Sequence, residues 1–591
     1  MNEATVDRQL ARTESATART GSGWLVCFAA ALSLYALTAN RGPQWQDSGD
    51  HILRIVTGES INPLGLALTH PLHHWLCRFA AALNLLEPAF AVTLISSLAA
   101  AFAVANVYGC VLTLTSDRLV AVLAAISLAI ANTFWKLATV TEVIALTAAL
   151  LSAECWCLIV LMSRAAAGPR SALCADARGL ARSNCSITQS SNPQDRSYPC
   201  AFLGLFFFNG LGLANHNLAL LTTPVLAAIA LLALYRRWIA WPHLLLAAAA
   251  WLIASLPYTG LVLSEALRSG DLRATMHSAL FGISYEKDVL NVSISGSRLL
   301  INAAFIALNF PNLLLPAAVY GVFTARRFGV PPLTRWALFV ALFIHALFAL
   351  RYSVPDQHYF FIPMYLLFVI FGGVGFAAWR AKADRGRRLQ PAPTASRPPV
   401  AGTDLQIPVR ERRADVPPYL KSHISNLKSQ RGVDDSALSP RRDRIMVAAA
   451  ILLALTPLLY AFTPALARRF DVLGFVERHK PYRDDYVYLF TPWSVVERSA
   501  ERMSREAVAL AGDDGIIIVE DRLAEFAVRY RAIRDGKTGI EITSEMEPKD
   551  LLRIADAGRP IVLVPRSVDE PLTLPLTGSW RRMGDLYILN P

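Results

Sequence analysis

Charge is scarce in this chain. Only 17% of its 591 residues are Asp, Glu, Lys or Arg, whereas 54% are hydrophobic. A soluble globular domain carries about 25% charged residues. The shortage excludes an ordinary soluble protein and points to a polytopic membrane protein with some soluble sequence attached. Cysteine is scarce too, and confined. The eight are Cys27, Cys77, Cys110, Cys155, Cys157, Cys174, Cys185 and Cys200, so the C-terminal third has no disulfide framework. Cys155 and Cys157, two apart on an expected helix, point to nearly opposite sides and read as packing residues rather than a metal pair. No Gly-rich phosphate loop occurs, which removes the usual mark of nucleotide binding. No internal repeat is visible either, and many transporters are built from repeated halves. The first apolar run, Trp24–Ala39, lacks a small-residue cleavage site and reads as an uncleaved first span.

Acids are fewer than bases, 45 against 57, for a formal net charge of +12. That balance would fit nucleic-acid binding if the bases lined one face. They cluster between hydrophobic runs instead, so they read as topology signals, and no nucleic-acid partner is expected.

Lipid offers no partner to a free backbone group, so a span needs about 20 apolar residues. By that rule about eleven transmembrane helices are expected. They fall near 24–39, 89–114, 119–134, 138–162, 199–213, 217–235, 241–263, 298–323, 333–350, 358–379 and 445–464. With the N-terminus in the cytoplasm, the even-numbered junctions carry the bases: Arg118; Arg164, Arg170, Arg178, Arg182 and Arg196; Arg236 and Arg237; Arg326, Arg327 and Arg335. The odd-numbered junctions are poorer in Lys and Arg. This is the positive-inside pattern of a multi-pass protein of the inner (plasma) membrane.

The expected organisation is a cytoplasmic tail (1–23), a membrane domain (24–380), a linker (381–444), a last span (445–464) and an extracytoplasmic domain (465–591). The linker is rich in Pro, Ser and Arg and is expected to be disordered and cytoplasmic. In the C-terminal region, "GIIIVE" (Gly515–Glu520) and "PIVLVP" (Pro560–Pro565) are strand-like, with helical sequence between them. They predict a small α/β domain.

The unusual polar residues gather on the outer side. The first outer loop holds Asp47, Asp50 and His51, then His70, His73 and His74 in "THPLHHWLCRF". Glu142 stands at the start of the fourth span. "GLANHNLALL" brings Asn215, His216 and Asn217; "LFGISYEKDVL" brings Tyr285, Glu286 and Lys287; "RYSVPDQHYFFIPMY" brings Arg351, Asp356, His358 and Tyr359. Ionisable groups at membrane depth are costly unless they face a cavity or each other. Their shared side therefore implies one outward-facing polar site. His70, His73 and His74, next to Trp75 and Arg78, read as part of an interfacial helix rather than a zinc site. Glu154, deeper in the fourth span, reads as a packed polar group.

These residues also resemble a family. "WQDSGDHI" is similar to the Asp-Ser-Gly-Glu signature in the first outer loop of the protein O-mannosyltransferase-like membrane family, which includes bacterial members of unknown function. "HPLHHWLCRF", "NTFWKLATVTEVIAL", "GLANHNLALL", "LFGISYEK" and "DQHYFFIPMY" resemble its later landmarks, in order. Asp50 stands where the family has Glu, and Asn215 where it has the first of two His. The resemblance covers 24–380 and implies an α-helical GT-C-type glycosyltransferase. Such an enzyme takes a sugar, such as a mannose-like hexose, from a polyprenyl-phosphate carrier and passes it to a protein hydroxyl or glycan acceptor outside the membrane.

For that chemistry the residues divide into roles. A carboxylate suits the general base, and Asp47 is assigned it, with Asp50 as orienting partner or as ligand of a divalent cation where one is present. No other cofactor is expected. The leaving phosphate needs donors or positive charge. Arg351 comes first because its guanidinium forms a fork, followed by His216, His358 and Lys287. Glu142 would hold a sugar hydroxyl or pair with a cation, and Tyr285 and Asp356 complete the substrate-binding set. One displacement would invert the anomeric carbon. The rival reading is a transporter or flippase for a lipid-linked or small polar substrate, but such sites favour the membrane midplane.

Overall fold

The computed structural model describes residues 3–167, 197–328, 330–354, 356–388, 440–474, 479–544, 558–569 and 580–589. Most of the expected 381–444 linker lies outside the described residues, as do Cys174 and Cys185. Among the described residues, seven helices are long and apolar enough to cross a membrane. They are Gly21–Thr38, Pro88–Thr115, Val143–Ala165, Trp241–Ser269, Pro332–Arg351, Gln357–Lys382 and Arg444–Arg469. Two bent pairs raise the number to nine, and Pro199–Asn215 and Thr223–Tyr235 are shorter apolar helices. Together these cover the segments expected from hydropathy.

Two expected straight spans are broken. Arg118–Ala129 turns by 69° into Asn132–Ala138, and Gly296–Asn309 turns by 99° into Leu314–Thr324. The second break falls at Phe310–Pro311, where the proline disfavours helix at the residue before it. Broken backbone at membrane depth must find partners. The two breaks supply them to each other. Asn309 accepts the Thr133 amide at 2.8 Å through Oδ1 and donates to Thr133 Oγ1 at 2.9 Å through Nδ2. Hydropathy does not show such a break, because averaging along the run smooths over the few polar residues there, Asn132 and Thr133 at one and Asn309 and Asn312 at the other.

Helix ends follow local sequence. Pro88–Thr115 starts with proline at its first position, and the Glu87 carboxylate accepts the Phe90 amide at 3.0 Å. Helices also pack through small residues. A Cβ at Gly375 would lie 1.8 Å from the Ala317 carbonyl oxygen, so the helices Leu314–Thr324 and Ile362–Arg388 touch backbone to backbone.

The C-terminal domain has a five-stranded sheet: β1 (Ile516–Val519), β2 (Glu541–Thr543), β3 (Ile561–Val564), β4 (Trp580–Met583) and β5 (Leu586–Leu589). Their spatial order is β2-β1-β3-β5-β4, with β1 parallel to β2 and β3, and β5 antiparallel to both its neighbours. The two strand-like runs in the sequence are β1 and β3. They pair with Ile516 opposite Ile561, and both are buried throughout, as central parallel strands should be. Helices Ser499–Ala511 and Arg522–Arg534 pack on the sheet.

This domain is bonded to the membrane half. Asn40 Nδ2 donates to the Glu497 carbonyl at 3.0 Å, Asn132 Nδ2 to that of Phe490 at 3.0 Å, and Thr139 Oγ1 to that of Pro492 at 3.0 Å. Trp45 Nε1 donates to Ser499 Oγ at 2.8 Å. The first loop is thus held between two bodies.

Candidate active site

The short helix Gln46–Thr57 follows Trp45 and ends on Gly58, whose φ of +80° suits a residue without a Cβ. Its spacing sets the site. Asp47, Asp50 and Arg54 lie three and four residues apart and so share a face. The opposite face carries Ile52, Leu53 and Ile55 into an apolar cluster with Cys77, Val92 and Tyr530.

The polar face opens on a cavity of about 140 Å³. Its walls bring together Asp47, Asp50, Glu142, His216, Tyr285 and Asp356 from five separate junctions, so the scattered polar groups meet in one place. Tyr359 and Phe360 add aromatic wall, and Arg522, Leu523 and Phe526 close it from the C-terminal domain. A larger open groove of about 500 Å³ on that domain, near Tyr482, mixes Asp484, Glu497 and Glu501 with Arg498, Arg502 and Arg505, so it lacks the excess of carboxylates seen here.

The two aspartates differ in environment. Asp50 is tied down: Asn62 Nδ2 donates to its Oδ2 at 3.1 Å, and Arg54 Nη1 stands 3.6 Å from the same oxygen. Asp47 is exposed where its side chain opens into the cavity, although protein crowds around it, and it has no hydrogen-bond partner among the described residues. Burial, then Asp356, raises the Asp47 carboxyl to about 6. Burial also raises Asp50 to about 6, against the opposing pull of Arg54. Glu142, 7% exposed, is raised well above the usual carboxylate range by burial, then by Asp47 and Asp356. Asp356 is raised by burial as well. Four carboxylates in one small space cannot all ionise cheaply.

Behind them lies a stack of histidines. His70 Nδ1 is 2.8 Å from the Asn215 carbonyl, and its ring stacks on His216 with centroids 4.9 Å apart. His51 meets His70 and His73 edge-on at 5.8 and 5.4 Å. Burial lowers His70 and His74 to about 4 and His73 to about 3, so the rings are neutral near pH 7. The helix Pro71–Ala82 is amphipathic, but with its histidines inward: His73 and His74 are buried while Trp75 and Phe79 are exposed. Among the described residues, no three His, Cys, Asp or Glu side chains converge as a metal-ligand set.

Three expected residues stand outside the cavity lining. Arg351 donates through Nη1 to the Asn291 carbonyl at 2.8 Å and lies over the Phe348 ring. Lys287 is exposed on the short helix Glu286–Val289. His358 stacks on Phe305 with centroids 4.7 Å apart. Deeper in the bundle, Glu154 accepts Asn209 Nδ2 at 3.1 Å, a packed polar pair. Sequence reasoning passed over Arg54, Asn62, Arg522 and Phe526. The i,i+4 spacing of Asp50 and Arg54 was a usable signal; nothing local marks Arg522 or Phe526.

The fold is that of the GT-C membrane glycosyltransferases. ArnT from Cupriavidus metallidurans bound to undecaprenyl phosphate superposes with a TM-score of 0.52 at 14% identity, over 96% of this chain and 98% of that one. Its apo state gives 0.51 at 14% identity over the same shares. Residues 47–239 match the family model for the protein O-mannosyl-transferase TMEM260 N-terminal domain. That match covers about a third of the chain, and the likeness to ArnT is one of fold: a multi-pass helical membrane protein with a segment similar to that domain. No curated protein sequence matches it significantly.

Proposed function

We propose that the cavity transfers a hexose from a polyprenyl-phosphate carrier to a hydroxyl of a protein or glycan on the extracytoplasmic face of the plasma membrane. The observation that carries this reading is the unpaired Asp47 carboxylate facing a sugar-sized cavity beside Asp50, Glu142 and Asp356. Carboxyl groups and aromatic rings are suited to sugars, and Tyr285, Tyr359 and Phe360 line the same space. The match to an O-mannosyl-transferase domain supports a hexose, and the shared fold with a protein bound to undecaprenyl phosphate supports a lipid carrier.

In the proposed step the acceptor oxygen attacks the anomeric carbon while Asp47 takes the hydroxyl proton. The bond between that carbon and the phosphate oxygen breaks, and its electron pair leaves with the polyprenyl phosphate. One in-line displacement inverts the anomeric centre. A base poised near neutrality is suited to this work, and a carboxyl held at about 6 is mostly ionised at pH 7. Asp50, fixed by Arg54 and Asn62, shapes the floor. Glu142 and Asp356 hold sugar hydroxyls.

The test uses purified protein with a labelled polyprenyl-phosphate mannose and a Ser/Thr-containing acceptor peptide. Label should appear on the acceptor, and Asp47→Asn should abolish it. Movement of intact lipid across a vesicle membrane, without cleavage of the sugar–phosphate bond, would overturn the proposal in favour of a flippase.

A further inference from the structure

The cavity has carboxylates in excess and must still receive an anionic phosphate. Among the described residues lining it, Arg522 is the one Lys or Arg. The nearby cations are engaged elsewhere. Arg54 lies behind Asp50 and also donates to the Ser60 carbonyl at 3.1 Å. Lys136 sits over the Tyr488 ring at 4.8 Å, and Arg351 is bound to the Asn291 carbonyl. Of the histidines that line the cavity, His51 and His70 are buried and His216 is half-buried, and all three are neutral near pH 7.

Arg522, by contrast, is exposed and has no partner among the described residues. Its neighbour Asp521 does not neutralise it, because one Asp521 oxygen pairs with Lys480 and the other accepts the Leu523 amide at 3.0 Å. Position is fixed by packing. Arg522, Leu523 and Phe526 all line the cavity from one helix. Phe526 packs into the Ile52 cluster, and a Cβ on Gly49 would come within 3.2 Å of Phe526 Cβ. Tyr530, two turns along from Leu523, donates to Glu87 and accepts the Ala89 amide at 3.3 Å.

We propose that Arg522 of the C-terminal domain binds the phosphate of the lipid-carried donor, completing a site that the membrane half alone leaves without a cation. The assignment rests on the sugar-transfer reading for the identity of the donor. It gives the C-terminal domain a place in substrate binding. The guanidinium forms a two-pronged hydrogen bond to phosphate oxygens and releases the lipid phosphate when the next donor competes for it.

The experiment compares wild type with Arg522→Ala and Arg522→Lys, with Arg505→Ala as a control at an exposed arginine outside the cavity. Donor KM is read in the transfer assay. Binding of polyprenyl phosphate in micelles is read separately, against inorganic phosphate as competitor. The expected result is a donor KM about ten- to a hundredfold higher in Arg522→Ala, an intermediate value in Arg522→Lys, and an unchanged acceptor KM and melting temperature. Donor KM and lipid-phosphate binding unchanged in Arg522→Ala would overturn the assignment while leaving sugar transfer intact. If wild type transfers no sugar but binds polyprenyl phosphate through Arg522, the transfer reading fails and the phosphate site stands. Inorganic phosphate displacing the lipid at equal concentration would overturn the lipid as its ligand.

Discussion

Arg54 Nη1 stands 3.6 Å from Asp50 Oδ2, one helical turn away, and the arginine is 1% exposed. A buried charge of this kind is tolerable only with its partner, and removing one member leaves the other stranded. Arg54→Met should therefore cost about 3–5 kcal/mol of stability. Adding Asp50→Asn should recover part of the loss, because no lone carboxylate then remains. Melting temperatures in detergent of the two single variants and the double variant check this. A double variant no more stable than Arg54→Met would show that the pair does not act as a unit.

Gly49 lies between the first-loop helix and the C-terminal domain. A Cβ there would fall 2.4 Å from the Gln44 carbonyl oxygen and 3.2 Å from Phe526 Cβ. The first of these is backbone and cannot swing aside. Gly49→Ala should cost about 1–3 kcal/mol, as overpacking does. It should also loosen the helix Arg522–Arg534, seen as faster amide exchange there. Gly296→Ala, where nothing lies within 4 Å of the new atom, should leave exchange unchanged.

Much of the architecture was legible because lipid enforces it. Apolar runs such as Pro88–Thr115 have no alternative to helix, and β1 and β3 announce themselves as short aliphatic runs. Asp47, Asp50, Glu142 and Asp356 were legible for a similar reason: carboxylates beside apolar helices demand a cavity. Two things were not. The 69° and 99° breaks depend on Asn309 reaching Thr133 across 176 positions of chain, and no local pattern encodes that contact. Arg522 belongs to the site only because its helix docks on Gln46–Thr57, and the sequence of a soluble helix does not say what it rests on. Arg351, whose fork suits phosphate in principle, stands outside the cavity lining with the Asn291 carbonyl as its partner, a placement that no local pattern gives.

The raised carboxyl of Asp47 sets a pH dependence with a definite sign. A base must be ionised, so transfer should rise with pH through about 6 and level off above pH 7. Asp50 titrates in the same range, so the limb belongs to the pair. Stability runs the other way. A carboxyl whose folded pKa is about 6 instead of 3.8 binds protons more tightly when folded, so stability falls as pH rises between those values. At pH 7 the ionised Asp47 is a burden on the fold. Asp47→Asn should lower transfer by about 10²–10⁴-fold and raise the melting temperature at pH 7. The gain should shrink toward pH 4. A variant that is both inactive and less stable at pH 7 would contradict this.

Glu142 gives the opposite test, because burial and then two neighbouring aspartates favour its protonated form. A protonated glutamate and a glutamine are close in shape, and each offers one donor and one acceptor toward a sugar hydroxyl. Glu142→Gln should therefore keep transfer within about tenfold of wild type, with the change in KM, since one neutral hydrogen bond is worth about 1 kcal/mol. Glu142→Ala removes the hydrogen-bonding group outright and should raise donor KM further. If Glu142→Gln were as inactive as Asp47→Asn, the glutamate would have to act in its ionised form, and it, not Asp47, would become the first candidate for the base. The two amide substitutions, at neighbouring carboxyls of one cavity, thus separate the group that moves the proton from the group that holds the sugar.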